Sequence, residues 1–411
     1  MRRVTQPTTD PGEQAARRTH VQRVRGLVSG GGRAERVSTI ELFFDLVFVF
    51  TITELTHLVV DHPSPAGLLQ ALLVLTVTWW MYGAYAWLTN SLPPRGVPHR
   101  ILLVVGMIGF FTMALATPHA FGADGLAFGL GYLLVVVLHS GVFALSSDTS
   151  TVRAILRIAP TNVGSALCVV AAGFVDGPAD WVLWPLAVVV AAAVPLLRGP
   201  GGFTVESGHF VERHGLIVIV VLGESVVALG AAAESGHLGP GTVVVCALGL
   251  LLAVGLWWVY FDVDESGAEA ALEAAPADRR ARLSLLSFGV SFVPLLLGVV
   301  LVAAGLEESL ASPWRPAHWP APALLAGGTA LYLVGEACFR LVLGIRPVAG
   351  RLAAAGVAAA TTGLGVLLPA AALIAVLAGV LVVLLVAESR ARAGSPVLPS
   401  PSAERPEPTS A

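Results

Sequence analysis

Four ionisable residues crowd one apolar stretch near the start of the chain. The segment Ser38–Asp61, STIELFFDLVFVFTITELTHLVVD, carries Glu41, Asp45, Glu54 and His57. It is long enough to cross a bilayer, whose hydrocarbon core of about 30 Å takes about 20 apolar residues in a helix. A charge at that depth costs at least about 2.5–3.5 kcal/mol, so such groups normally face a bundle interior or a water-filled path. Carboxylates and an imidazole placed there can exchange protons, bind a cation or form ion pairs. A helix serving only as an anchor needs none of them.

At 100° and 1.5 Å per residue, Glu41 and Asp45 are i,i+4 neighbours, and Glu54 and His57 are i,i+3 neighbours. The second pair projects roughly opposite Asp45 and about 14–20 Å further along the axis. A later segment, GHFVERHGLIVIVVLGESVVALG (208–230), has the same two levels. His209, Glu212 and Arg213 share one turn there, and His214 follows. Glu224 stands about 16 Å beyond, in an otherwise apolar run and on nearly the same face as Arg213. Arg213 needs an anion at its own depth, and Asp45 or Glu41 is the expected partner. Glu336 and His139 are further polar positions in later apolar segments.

Three readings of these groups compete. In a transport reading, Glu54 and Glu224, with Asp45 and His57, titrate or bind a cation along a path for a proton, cation or small solute. Glu41, Glu212, Arg213, His209 and His214 then form a polar network or gate at the inner level. In a structural reading, the same groups pair and lock the helices together without traffic. An enzyme would need a nucleophile with a base or a metal triad. No HExxH, GxSxG or metal-spaced His cluster is present, and Gly223-Glu224-Ser225 is not a nucleophile elbow. No catalytic residue, metal or cofactor is therefore expected.

The elements that must position these groups follow from hydropathy. The 411 residues are 55% hydrophobic and 12% charged, with a mean hydropathy of +0.80; average soluble chains carry about 25% charged residues. Twelve apolar segments can be drawn, at about 39–60, 66–89, 99–117, 121–145, 154–175, 179–197, 209–232, 241–262, 283–305, 318–341, 350–368 and 370–388. The fold class is an all-α, polytopic transmembrane bundle whose first partner is the lipid bilayer. Residues 1–37 read as a disordered Arg-rich tail, 38–198 and 199–389 as two six-helix halves, and 390–411 as a second disordered tail. Cys168, Cys246 and Cys338 each lie alone in apolar runs, so neither disulfides nor a zinc site is expected.

Every basic residue is arginine, and placement tests the segment count. With the N-terminus inside, the inner connections hold Arg95, Arg100, Arg153, Arg157, Arg198, Arg279, Arg280, Arg282, Arg346 and Arg351, with Arg213 and Arg340 at inner helix ends. The outer loops hold Arg315. This bias is that of the positive-inside rule and places both termini in the cytoplasm. Arginines spread over loops in this way give no support to nucleic-acid binding.

An internal repeat accompanies the two levels. Trp79-Trp80-Met81-Tyr82 follows the first segment and Trp257-Trp258-Val259-Tyr260 follows the seventh, in a chain with nine Trp and five Tyr. A period of six helices gives both halves the same orientation, related by an axis along the membrane normal. The alternative for these aromatics is an interfacial belt or core packing.

Taken together, ELFFDLVFVFTITELTHL (41–58), HFVERHGLIVIVVLGESVVALG (209–230) and WWVYFD (257–262) resemble the bacterial low temperature requirement A (LtrA) family. The resemblance covers about residues 38–388, between the tails, and implies an integral protein of the bacterial cytoplasmic membrane. The family's characteristic polar positions fall on Glu41, Asp45, Glu54, Glu212, Arg213, His214, Glu224 and Asp262. One departure is Phe292, which stands two residues before Pro294 where family members tend to carry histidine. A relay using that histidine would here need another group, for which His139 is a candidate.

Overall fold

The computed structural model describes residues 37–92, 97–144, 149–175, 177–203, 205–234, 239–310, 312–316 and 318–393. The two expected tails fall outside the described residues, apart from Val37 and the last turn of the final helix. Twelve helices account for nearly all the rest: α1 Thr39–Asp61, α2 Pro65–Ser91, α3 Val97–Ala116, α4 Gly125–Ala144, α5 Thr149–Ala172, α6 Asp180–Arg198, α7 Ser207–Glu234, α8 Pro240–Ala274, α9 Ala277–Leu310, α10 Ala321–Leu343, α11 Ala349–Gly365 and α12 Ala370–Ala393. They coincide in order with the twelve apolar segments. Among the described residues, eleven are long and apolar enough to cross a membrane; α11, with 17 residues, is the exception.

Local signals set several boundaries. Ser38 precedes α1, and Glu41 reaches back so that its Oε2 accepts from the Ser38 N–H (2.9 Å) and Oγ–H (2.6 Å). Ser64 Oγ accepts from Gly67 N at the start of α2, where Pro65 occupies the first turn. Gly344, in the left-handed region at φ 76°, closes α10. Several helices outrun the sequence expectation, among them α9, which begins at Ala277 and ends at Leu310. α8 turns at Asp262–Val263 and continues as an acidic helix whose Ala268 and Leu272 are buried, and α12 runs on to Ala393.

Packing puts α9 and α10 at the centre. In the most apolar stretch of each, 72% of residues are buried, against 28% in α6 at the periphery. They approach through glycine: a Cβ on Gly298 would lie 2.5 Å from Tyr332 N, and one on Gly328 would lie 2.8 Å from Gly298 O. Small residues let membrane helices gain van der Waals contact that lipid cannot replace. Near its start α9 widens into a π-turn over Leu285–Val290, and Trp79 Nε1 of α2 lies 3.1 Å from Phe288 O and 3.2 Å from Gly289 O. Phe292, just beyond, stacks on Trp79 at 5.6 Å and meets His214, Tyr260 and Phe339 edge-on or tilted.

The two aromatic repeats occupy different environments. Trp79 and Tyr82 are buried, whereas Trp257 and Trp258 are 40% and 50% exposed on the outside of α8; only Tyr260 is buried as Tyr82 is.

Candidate functional site

Arg213 is fully buried on α7 and sits between the two inner carboxylates of α1. Its Nη1 lies 3.2 Å from Glu41 Oε1 and its Nη2 3.4 Å from Asp45 Oδ1. Nε donates to Tyr82 Oη at 3.4 Å, and Nη1 also contacts Thr89 Oγ1. Tyr82 in turn donates to Asp45 Oδ1 at 2.8 Å. His209, one turn before Arg213, places Nε2 3.5 Å from Glu41 Oε1, while its Nδ1 meets Asn90 Nδ2 at 3.2 Å. Glu41 thus ties Ser38 at the start of α1 to His209 and Arg213 of α7, which in turn reach Asn90 and Thr89 at the end of α2. The guanidinium also lies over the Phe44 and Tyr82 rings, at 5.6 and 5.4 Å from their centroids.

Two members of the expected inner network are elsewhere. Glu212 is exposed, because adjacent residues on a helix point about 100° apart and Arg213 takes the inward face. His214 is buried but turned away from the carboxylates: Nδ1 donates to the Phe210 carbonyl at 2.7 Å, and the ring packs among Trp79, Phe210, Phe288 and Phe292.

A second network was not anticipated. Arg340 of α10 and Arg351 of α11, read from sequence as inner-end and loop arginines, are both buried. Arg340 Nε lies 2.7 Å from Asp264 Oδ1, and its Nη1 and Nη2 each lie 3.1 Å from Glu388 of α12. Arg351 Nη1 lies 2.5 Å from Asp264 Oδ2 and 3.0 Å from Glu336 Oε2, and its Nε lies 3.1 Å from Glu388 Oε1. The Pro347 and Val259 carbonyls take further guanidinium protons. Asp264 enters the core because α8 breaks at Asp262–Val263. Asp262 itself pairs at the surface with Arg392. Both networks lie toward the same end of the bundle. Glu265 Oε1, next to Asp264, stands 2.7 Å from where a Cβ on Gly215 would be, and Gly215 is two residues past Arg213.

The other level has carboxylates without arginine. Glu224 of α7 is 3% exposed by side chain and backbone together, and its Oε2 accepts from Thr53 Oγ1 of α1 at 2.6 Å. Glu54, His57 and Glu307 of α9 lie within Coulombic reach of it. His57 Nδ1 is 3.9 Å from Glu54 Oε2 and half exposed. Glu308 and Asp61 add to the same acidic end. No arginine pairs with Glu54, Glu224 or Glu307 among the described residues. Glu307 was missed from sequence because it stands at a helix end, where an acidic residue reads as surface.

Between the levels the buried faces of α1 and α7 are almost wholly apolar. From Asp45 to Thr53 on α1 and from His214 to Glu224 on α7, the buried side chains are Phe48, Ile52, Ile217, Val218, Val221 and Leu222, with Thr51 the one polar exception. His139 of α4 does not bridge the gap; its Nε2 meets the Ala84 carbonyl at 3.1 Å and its ring packs on Tyr85 and Phe143.

Apolar helices of membrane-crossing length, closed around buried arginine–carboxylate networks, define a multi-pass membrane protein. Within that class the chain belongs to the bacterial low temperature requirement A protein (LtrA) family, which matches residues 36–386. It is also 30% identical over 309 residues to a protein of Rhizobium meliloti (strain 1021), itself named as uncharacterized, covering 72% of this chain and 75% of that one.

Proposed function

We propose that the protein moves a proton, cation or small solute along a path lined by α1 and α7, with Glu224 and Glu54 as the exchanging groups. The observation that carries this reading is Glu224: a buried carboxyl in the membrane-crossing stretch of α7 whose one hydrogen-bonding partner among the described residues is the Thr53 hydroxyl. A carboxylate removed from water without a paired cation is strongly disfavoured, so the site favours a bound proton or cation. Glu54, His57 and Glu307 supply an acidic approach to it. The Arg213 network is a gate at the far level, and the apolar layer between them makes this the closed arrangement. The proposal takes α1 and α7 as equivalent members of two six-helix halves, since Glu54 and Glu224 share a level on neighbouring helices.

The proposal includes placement in the bacterial cytoplasmic membrane with both termini inside. Exposed arginines such as Arg100, Arg153, Arg198, Arg279 and Arg346 support that orientation, by the positive-inside rule. A second reading is favoured by the pairing of all three buried arginines, Arg213, Arg340 and Arg351, with carboxylates: a non-transporting membrane protein for envelope function or cold adaptation, locked by ion pairs. Binding separates the two. Thermal stability of the purified protein, titrated with Na+, K+ and Li+ at several pH values, is expected to rise with proton or cation concentration in wild type and not in Glu224→Gln. Equal responses of the two proteins would overturn a ligand site at Glu224.

A further inference from the structure

A cavity on the opposite face of α2 from the Arg213 network has the makings of a second site. It encloses about 80 Å³ and is walled by Trp79, Trp80 and Trp87 of α2, Phe143 of α4, Phe203, and Phe210 of α7. Beside it, sharing Trp80 and Gly289 as a common wall, lies an apolar chamber of about 330 Å³ between α2, α6 and the π-turn of α9. This outer chamber reaches the periphery: α6 is the least buried helix, and Val290 at the rim is 41% exposed although α9 is otherwise central. π-turns recur at functional sites, and this one borders both chambers.

Among the described residues, two buried polar atoms on the inner wall have no hydrogen-bond partner: His139 Nδ1 and Asn162 Oδ1, on residues 4% and 2% exposed. Tautomer chemistry fixes what His139 wants. The Ala84 carbonyl can only accept, so Nε2 must carry the proton it shares at 3.1 Å, and Nδ1 is left as a lone pair. His214, also on the lining, gives its Nδ1 proton to the Phe210 carbonyl and is likewise an acceptor at Nε2. No charged side chain lines either chamber among the described residues. The inner wall therefore offers acceptors between aromatic faces, and the outer chamber is mostly hydrocarbon, its Thr76 and Tyr132 hydroxyls being bonded to the Leu72 carbonyl and to Ser165.

We propose that this crevice binds a neutral amphiphile from the bilayer: a flat ring bearing a hydroxyl, of the phenol or hydroquinone class, with an apolar tail. The ring lies among the tryptophans with its hydroxyl donating to His139 Nδ1, and the tail lies along Trp80 toward the lipid. The site is separate from Glu224 and independent of the transport reading.

The test uses full-length protein in nanodiscs, titrated with para-nonylphenol and with its methyl ether, which keeps the shape and lacks the donor. Tryptophan fluorescence is the readout, with empty nanodiscs as blank. The phenol is expected to saturate at one per chain and to bind about tenfold tighter than the ether, equivalent to about 1.4 kcal/mol. His139→Phe should abolish that preference. Gly83→Leu, on a wall position where an added Cβ meets nothing within 4 Å, should fill the cavity and remove binding of both probes. Equal binding of phenol and ether to wild type would overturn the proposal, even if His139→Phe fails to fold. So would a preference that survives His139→Phe, or wild-type binding by Gly83→Leu.

Discussion

Thr53 and Glu224, on helices separated by 171 positions in sequence, meet at 2.6 Å with the hydroxyl donating to the carboxyl. This contact fixes α1 against α7 at the acidic level, as Arg213 does at the other. It also separates structure from function at Glu224. Thr53→Val removes the donor and should cost about 0.6 kcal/mol and at most about 1.7, the average and the maximum for polar contacts between membrane helices. Glu224→Gln keeps an oxygen to accept and should unfold close to wild type while losing any ligand response. Reversible unfolding in mixed micelles compares the two.

Arg213 holds two carboxylates, so its loss should cost far more than the loss of either one. Arg213→Met leaves Glu41 with only His209 and Ser38 and Asp45 with only the Tyr82 hydroxyl, both buried without their arginine, a cost of about 3–5 kcal/mol. Arg213→Lys should rescue only partly, because an ammonium cannot present the fork that reaches Glu41, Asp45 and Tyr82 together. Adding Glu41→Gln and Asp45→Asn to Arg213→Met should restore much of the loss. Thermal unfolding of the four proteins checks the order.

This network shows how far the residues themselves could be read. An α1 carboxylate as the partner of Arg213, Asp45 or Glu41, was legible, since a buried arginine needs an anion at its own depth; that the guanidinium takes both was not. The misplacement of Glu212 was avoidable, because residues i and i+1 never share a helix face. The second network was not legible. Arg340 and Arg351 stand near apparent helix ends, where arginine ordinarily reports topology, and nothing local reveals that α8 breaks at Asp262–Val263 and carries Asp264 inward. Twelve apolar segments foretold twelve helices, but not that α9 would be central, because burial on all sides and exposure to lipid look alike in hydropathy.

Arg351 and Arg346 test that distinction within five residues. Arg351→Met leaves Asp264, Glu336 and Glu388 short of a partner and should destabilise by about 3–5 kcal/mol. Arg346→Met alters an exposed residue in the preceding turn and should stay within about 0.5 kcal/mol. The same unfolding assay reads both; equal effects would place Arg351 outside the core.

The glycine contact between α9 and α10 makes a packing prediction. Gly298→Ala would put a methyl 2.5 Å from Tyr332 N, so the central pair must separate, at a cost of about 1–3 kcal/mol. Gly356→Ala, on an open face of α11, should instead be neutral or stabilise by about 0.5–1 kcal/mol. Melting temperatures of the two purified variants distinguish them.

Flux tests the transport proposal most directly. Wild type, Glu54→Gln and Glu224→Gln would be reconstituted into liposomes holding a pH-sensitive dye, then challenged with proton gradients and a panel of monovalent cations. Folding would be verified in the same preparations. Expected is a flux in wild type that falls to the level of empty liposomes in folded Glu224→Gln and is reduced in Glu54→Gln. Wild-type liposomes no leakier than empty ones across the whole panel, or a folded Glu224→Gln that conducts as well as wild type, would contradict a proton or cation path through Glu224.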